Sequence, residues 1–492
     1  MASAPASAEE AEVPAGRPPG GPLAITIEEA VLRALENNRS LQMERLNPPL
    51  QRTYEKEERA AFDPVVSAEI SGGREKGESP TGEETRTNLT GAGVGLSQYL
   101  PTGTQVDLGL TTDRSWGTAT SEQHATRAGF SVSQALLRGA GLGPNLARLR
   151  QAQLDTLFSE YELRGFAEAL VAQVETVYWD YVLAERQIKI YEESLRLAEQ
   201  QLEQTRQRIR VGSLAETELA AAQAEMALRQ EALIDARSRA QSIRVRLVRL
   251  IDPRLLTAPA LEVLAQSEPL VPAALLDAIS DCLAVAFRMR PELNQARLNI
   301  ARGDLEIVKT RNGLLPRMDL FVTLGKTGYA DSFGRSVHDI ATDGYDVFGG
   351  VSVEFPIGNR AAEAHHERAV LSRRQYVESY RNLQDLVRED VTTAYIEVQR
   401  SRQQVDATAA TRKLQEEKLR AETAKFGVGK STALLVAQAQ RDLVASQVDE
   451  VAAVVSYLNG LTNLSRLDGS LLERRRIDSP GRDPVVSDLD VP

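Results

Sequence analysis

The sequence has a single cysteine, Cys282, in 492 residues. One thiol excludes an intramolecular disulfide and a cysteine-based zinc site. Aromatic residues make up only 5% of the chain, which favours long helical interfaces of alanine, leucine and valine over one thick globular core. The four histidines are spread out and have no serine–aspartate or cysteine arrangement typical of catalysis. We therefore expect no enzyme activity, no metal and no cofactor.

Basic residues are outnumbered by acidic ones, 58 to 69, and long apolar runs are absent. The formal net charge is −11, which argues against nucleic acid as a partner because phosphate binding needs a basic face. No run of 18 apolar residues exists, so no transmembrane helix is predicted. Residues 1–22 are rich in Ala, Pro, Gly and Glu and lack the apolar segment of a signal peptide. They predict a flexible lead. Either the given sequence lacks a signal peptide or the protein is not exported, and the missing signal counts against export.

The clearest pattern in the chain is a long apolar stripe that breaks at Val211-Gly212-Ser213-Leu214. Over residues 170–209 the apolar positions recur alternately at four and three residues, the spacing of a coiled-coil seam. The stripe resumes over residues 219–250, with Arg229 as the one exception. Two long helices joined by a glycine turn predict a coiled-coil hairpin over residues 145–251.

Residues 65–137 change to a period of two, which predicts β-structure. Val106, Leu108 and Leu110, for example, alternate with polar or small residues. We predict polar loops at residues 72–87 and 113–126, between four strands at about 65–72, 88–99, 104–112 and 127–136.

The second half of the chain repeats the first. A constant offset of 217 relates Tyr178 to Tyr395 and Gly212 to Gly429 through the whole hairpin. The predicted organisation is a lead (1–22), a first repeat (23–262: helix 27–62, strands 65–137, hairpin 145–251), a second repeat (263–468: helix 272–315, strands 318–355, hairpin 360–467) and a disordered tail (469–492). Pro48 and Pro49 should kink or split the first helix, and Pro291 marks a bend in the helix 272–315.

This doubled layout resembles the TolC-type outer-membrane efflux proteins over residues 23–467. The residues that carry the resemblance lie where the chain passes between helices and strands, and at the two Val-Gly turns. They are Asp63-Pro64, Leu315-Pro316, Ser133-Gln134-Ala135-Leu136-Leu137 and Val353-Glu354-Phe355-Pro356-Ile357. No single motif is specific, whereas the order of elements is.

The resemblance implies a mainly α fold with a membrane β-barrel portion, in which a homotrimer builds an α-barrel tunnel and one shared β-barrel. It implies an outer-membrane location with a periplasmic extension, a passive role in efflux or type I secretion, and partners that are a periplasmic adaptor, an inner-membrane transporter and outer-membrane lipid. Members with two strands per repeat form twelve-stranded barrels. The extra hairpin in the first repeat predicts either eighteen strands or a pair outside the barrel. The alternative function is a soluble or periplasmic coiled-coil scaffold without a membrane barrel.

The two hairpin turns are the candidate docking sites for the adaptor. Their residues are Val211, Gly212, Ser213 and Leu214 in one repeat, and Val428, Gly429, Lys430, Ser431 and Thr432 in the other.

The Gly-Lys-Ser-Thr string in the second turn is not a phosphate loop, because Ala424 stands where that motif needs glycine and a helix precedes it. A left-handed glycine followed by a helix N-cap is the structural interpretation. Glu218 and Asp442 are candidate acids that line the tunnel. His365 and His366 are adjacent on a helix and point about 100° apart, which argues against a metal site.

Overall fold

The structure is a computed structural model that describes residues 23–485 except 79–81, 83, 119–120, 258–261, 274–275 and 342–343. The predicted flexible lead and the end of the predicted disordered tail lie outside the described residues. The chain divides into two compact units. Within the described residues, the first unit comprises residues 23–44, 164–290 and 386–482, and the second comprises 45–163, 291–385 and 483–485.

The first half of the chain runs from short helices through four strands to a helical hairpin. Its longest helix has 64 residues, and the helix that returns from it has 35. The elements are β1 (Leu23–Ile25), α1 (Ile27–Asn37), α2 (Arg39–Glu44), α3 (Asn47–Ala60), β2 (Val65–Glu78), β3 (Glu84–Leu100), β4 (Thr104–Gly117), β5 (Gln123–Ala135), α4 (Leu142–Asn145), α5 (Ala147–Arg210) and α6 (Thr217–Ile251), followed by a 3-10 turn at Pro253–Thr257.

The second half has the same order with two long strands, and its hairpin helices have 68 and 35 residues. Its elements are β6 (Val263–Ala265), α7 (Ile279–Met289), α8 (Pro291–Gly313), β7 (Arg317–Ala330), α9 (Phe333–Asp339), β8 (Asp346–Glu354), α10 (Arg360–Gly427), α11 (Ala433–Leu467) and α12 (Leu471–Arg474). The fold is therefore mainly helical, with a sheet and an internal duplication.

Helix starts and breaks follow local sequence signals. Thr26 caps α1 in a capping box with Glu29, which satisfies two backbone donors that the first turn leaves free. The predicted helical stretch 27–62 is three helices, and the expected split at the prolines is present, because α3 begins at Asn47 with Pro48 and Pro49 in its first turn. Proline is tolerated there because the first amides of a helix have no partner within the helix. In the second repeat the predicted helix 272–315 begins only at Ile279 and breaks before Pro291.

In the first unit, two tyrosines of α5 support a small parallel sheet of β1 and β6, which the sequence analysis did not predict. The Tyr178 hydroxyl donates to the Ile25 carbonyl at 3.0 Å, and the Tyr181 hydroxyl donates to the Val263 carbonyl at 2.7 Å. Both tyrosine side chains are buried. These short strands were missed because three residues give no detectable alternation.

The C-terminal segment 469–482 packs into the same unit. Leu471 and Leu472 are buried, and the buried Arg164 guanidinium donates to the Gly469 carbonyl at 3.0 Å and to Glu473 at 2.7 Å. The prediction of a disordered tail is therefore wrong for residues 469–482. The segment has a polar composition typical of disorder, but the buried charged side chain of Arg164 on α5 binds it.

The second unit contains a six-stranded antiparallel sheet in the order β2-β3-β4-β5-β7-β8. Its strands are longer than predicted, and the predicted loops 72–87 and 113–126 are largely strand. The prediction was wrong there because polar side chains occupy both faces of these strands, such as Arg74 and Glu75 in β2, so no alternation marks them. Helix α9, which was also not predicted, packs on the sheet, where Thr126 and Ser336 hydroxyls lie 2.7 Å apart.

Candidate functional site

The first hairpin turn is built by a left-handed glycine. Gly212 has φ 77°, a conformation that residues with a Cβ rarely adopt. Its amide donates to the Ile209 carbonyl at 2.9 Å, and the next amide, that of Ser213, donates to the Arg208 carbonyl at 2.8 Å. This pair of bonds satisfies the last carbonyls of α5 in a Schellman motif. Val211 beside it is 77% exposed.

The second turn repeats this geometry with a different start to the return helix. Gly429 has φ 76°, and the Lys430 amide donates to the Lys425 carbonyl at 2.8 Å. Thr432 then caps α11 by accepting from the Leu435 amide, whereas Glu216 at the start of α6 makes no such side-chain bond. The predicted left-handed glycines are present at both turns, and the predicted Thr432 cap is present at the second.

A cation–π contact joins the ends of the two long helices. The Arg208 guanidinium of α5 lies 4.9 Å from the centroid of the Phe426 ring of α10. Beside it, the Glu422 carboxylate accepts from Lys425 at 2.5 Å and from the Ser431 hydroxyl at 2.8 Å. The ammonium group of Lys425, with the Ser431 hydroxyl, lowers the pKa of Glu422. The two turns therefore belong to one cluster, in which Val211 and Val428 remain largely exposed.

Sequence reasoning missed a buried ion pair further along the return helices. Arg229, the exception in the apolar stripe, is only 8% exposed and donates to Glu225 at 2.5 Å. Arg441 of α11 approaches the same carboxylate at 3.6 Å. The charge is tolerated because it is paired where it is buried. The signal was in the sequence, since an arginine in a seam with a glutamate four residues earlier predicts such a pair.

The six-stranded sheet has two chemically different faces. Residues opposite one another in the ladder share a face, and one row across all six strands is entirely apolar and exposed. The residues of this row border an open groove of about 900 Å³. The row is Val66, Leu96, Leu108, Phe130, Leu324 and Val347.

The opposite face is polar and carries a row of glycines. Four glycines stand side by side on β3, β4, β5 and β7, and Ser67 and Asp346 end the row. Arg127 lies over this row and donates to both carboxylate oxygens of Asp346, at 2.7 and 2.6 Å. A Cβ added to Gly325, which lies between Gly129 and Asp346 in the row, would overlap the Arg127–Asp346 pair. The four are Gly95, Gly109, Gly129 and Gly325.

Comparison with known sequences gives the family. The profile of the outer membrane efflux protein family matches residues 30–251 and 284–470, both repeats and more than half of the chain. The chain belongs to the outer membrane efflux protein family. The search of curated proteins finds no match to it.

The fold of this efflux-family chain is that of solved outer-membrane channels. The channel OprN matches with a TM-score of 0.68 and 18% identity, covering 90% of each chain. The Campylobacter jejuni channel CmeC matches with a TM-score of 0.67 and 15% identity, over 90% of this chain and 86% of that one. The Neisseria gonorrhoeae channel MtrE, solved in its open state, matches with a TM-score of 0.66 and 18% identity, over 90% and 89%. The predicted resemblance and fold class are confirmed.

The structure does not bring the two candidate tunnel acids of the efflux-family chain together. Asp442 pairs with Lys418 of α10 at 2.7 Å, and both side chains are at least one-third exposed, so the pair contributes little. Glu218 is half-buried in the first turn of α6, where a carboxylate suits the helix dipole.

Among the described residues, no cluster of acidic, histidine or cysteine side chains is suited to hold a metal ion. In the same part of the chain, no helix is both long and apolar enough to cross a bilayer.

Proposed function

We propose that the chain is the passive exit channel of an export system. Three copies enclose a helical tunnel that continues into a shared β-barrel in the outer membrane. An inner-membrane transporter supplies the energy and the choice of cargo, and a periplasmic adaptor connects the two. Membership of the outer membrane efflux family supports this role, and no chemistry of the chain's own is required for it.

The observation that carries the proposal is the apolar face shared by all six strands. Membrane barrels present apolar side chains to lipid and polar side chains to the lumen, alternating along every strand. The row from Val66 to Val347 meets the first requirement, and the glycine row with Arg127 and Asp346 meets the second. The lipid chains of a bilayer would cover side chains that are otherwise 37% to 72% exposed.

A soluble coiled-coil scaffold is the competing function. The hairpins alone would suit it, since exposed seams bind partner helices. The sheet does not, because a soluble protein would leave an apolar row six strands wide in water, where such patches promote association. We therefore favour the channel.

The hairpin turns are proposed to dock on the adaptor. Val211 and Val428 are 77% and 71% exposed, and a cluster that ties the two turns together offers both to a partner at once. Apolar side chains held on a rigid turn lose little conformational freedom on binding. The open space around Gly212 and Gly429, where an added Cβ would meet no atom within 4 Å, gives a way to test this.

The test compares a large and a small substitution at the same glycine, with a signal sequence supplied. Gly212→Phe and Gly429→Phe should lower efflux at least ten-fold, while outer-membrane fractions still contain heat-modifiable trimers at the wild-type level. Gly212→Asn and Gly429→Asn are the matched controls, because asparagine tolerates φ > 0 and adds little bulk. Normal efflux in both phenylalanine variants would refute the docking role of the turns. If the protein were found only as a soluble monomer, the proposed channel function would be wrong.

A further inference from the structure

The sheet ends in two edges, β2 and β8, that have no strand partner among the described residues. Unpaired edges expose backbone donors and acceptors and invite pairing with another strand. Both edge strands carry the apolar face, through Val66 on β2 and Val347 on β8. An extra hairpin lying outside a membrane barrel would have no reason to continue that face in register. All six strands therefore belong to one layer.

The direction of the strands also suits pairing between copies. β2 follows α3 and runs away from the helices, whereas β8 runs back towards them into α10. Because the number of strands is even, β8 of one copy and β2 of the next are antiparallel, like every other neighbouring pair in the sheet.

The stagger of the strand ends gives the register. A line across the ladder joins Val65, the first residue of β2, through Ser97, Asp107, Ser131 and Thr323 to Phe348 on β8. β8 continues to Glu354, six residues beyond Phe348 (354 against 348) on the helical side. If Val65 of the next copy lies opposite Glu354, the last residue of β8 pairs with the first residue of β2, so no strand end is left unpaired on the helical side. The apolar face and the polar face both continue across the junction, because six is an even shift.

This register predicts a standard barrel geometry. Six residues of stagger over six strands is one residue per strand. With about 3.3 Å per residue and about 4.8 Å between strands, the strands tilt by about 35°, within the range of membrane barrels. Three copies then give eighteen strands and a total stagger of eighteen residues.

We infer that a second copy of this chain docks on the β8 edge through its β2 strand, and that three copies close an eighteen-stranded barrel. This inference rests on the proposed channel function, and it gives the size of the barrel through which cargo leaves. At a tilt of about 35° the backbone cylinder is about 34 Å across, against about 23 Å for twelve strands. The exit then has about twice the cross-section of a twelve-stranded barrel.

Cysteine pairs test the register directly. Two residues in from Val65 and Glu354 lie Ser67 and Ser352, both exposed and both on the polar face. In purified trimers the double variant Ser67→Cys/Ser352→Cys should form disulfides between copies, because directly opposite residues are within disulfide reach. A denaturing gel without reductant should show most chains in a covalent trimer, and reductant should abolish it.

Three controls separate the alternatives. Ser71→Cys/Ser352→Cys is displaced by four residues, about 13 Å along the strand, and should cross-link at least ten-fold less. Asp107→Cys/Ser352→Cys would cross-link instead if β8 met β4 of the next copy, as in a twelve-stranded barrel with β2 and β3 outside. The wild-type chain, with only the buried Cys282, should show no covalent trimer.

The outcomes do not depend on transport. Cross-linking through position 107, or a Ser67→Cys/Ser352→Cys disulfide confined to monomers, would overturn the eighteen-stranded barrel. Either result with normal efflux would leave the channel function in place. If the turn variants lost efflux while the disulfide of Ser67→Cys/Ser352→Cys still formed, the eighteen-stranded barrel would be supported and the loss would be due to docking.

Discussion

The C-terminal segment is held by an ion pair whose partners differ in burial, and this predicts an asymmetric response to mutation. The Glu175 carboxylate is 1% exposed and the Arg475 side chain 44%. Arg475 donates to both carboxylate oxygens, at 2.5 and 2.8 Å, and the Thr462 hydroxyl donates at 2.6 Å. Removing the arginine leaves a buried carboxylate without its counter-ion, which costs about 3–5 kcal/mol. Glu175→Gln instead leaves an arginine that water reaches, at a cost of about 1 kcal/mol.

Proteolysis of the segment measures this difference. Leu471 and Leu472 are buried, so thermolysin reaches them only after the segment opens, and the rate then follows the free energy of opening. A change of 1.4 kcal/mol is about ten-fold. Arg475→Ala should therefore speed cleavage about a hundred-fold or more, and Glu175→Gln about five-fold.

Two further variants make the test strict. Glu175→Gln/Arg475→Ala should be cleaved more slowly than Arg475→Ala alone, because no unpaired charge stays buried. Arg482→Ala removes an exposed pair with Asp478 at 3.9 Å and should change little. If Arg475→Ala were cleaved no faster than Glu175→Gln, the buried carboxylate would not be what holds the segment.

Two other predictions use burial and close approach. Burial raises the pKa of Asp468, so its stability contribution is present at low pH and is lost as pH rises through the folded-state pKa. Asp468→Asn should therefore resist urea better than wild type at pH 7 and lose that advantage near pH 4; a difference independent of pH would contradict this. Gly325→Ala should displace the Arg127–Asp346 pair and lower the temperature at which trimers dissociate on a gel, at a cost of about 1–3 kcal/mol. Gly349→Ala, where the nearest atom is 3.6 Å from the added Cβ, should not, and equal effects would refute the role of that contact.

The parts of the fold that follow a period could be predicted from sequence. The constant offset between Gly212 and Gly429 identified the duplication and both turns, because a left-handed glycine at a helix end is a local requirement. Pro48 and Pro291 likewise marked breaks that the structure contains.

The parts that depend on distant partners could not be predicted. The outer halves of β2, β3 and β4 carry polar residues on both faces, so only pairing in the ladder shows that they are strands. The ordered C-terminal segment depends on Arg164 and Glu175, which on α5 are indistinguishable from solvated helix residues until their burial is known. Arg229 was visible as an anomaly, but its pairing with Arg441 through Glu225 needed the structure.

The row of four glycines has a consequence for what can pass through the proposed channel. At that level four of the six strands would present no side chain of their own, and the Arg127 side chain that lies over the row is neutralised by Asp346. The row of glycines, with its neutralised pair, would therefore add no net charge to the wall of the channel. Discrimination by the charge of the cargo would then come from other levels of the path.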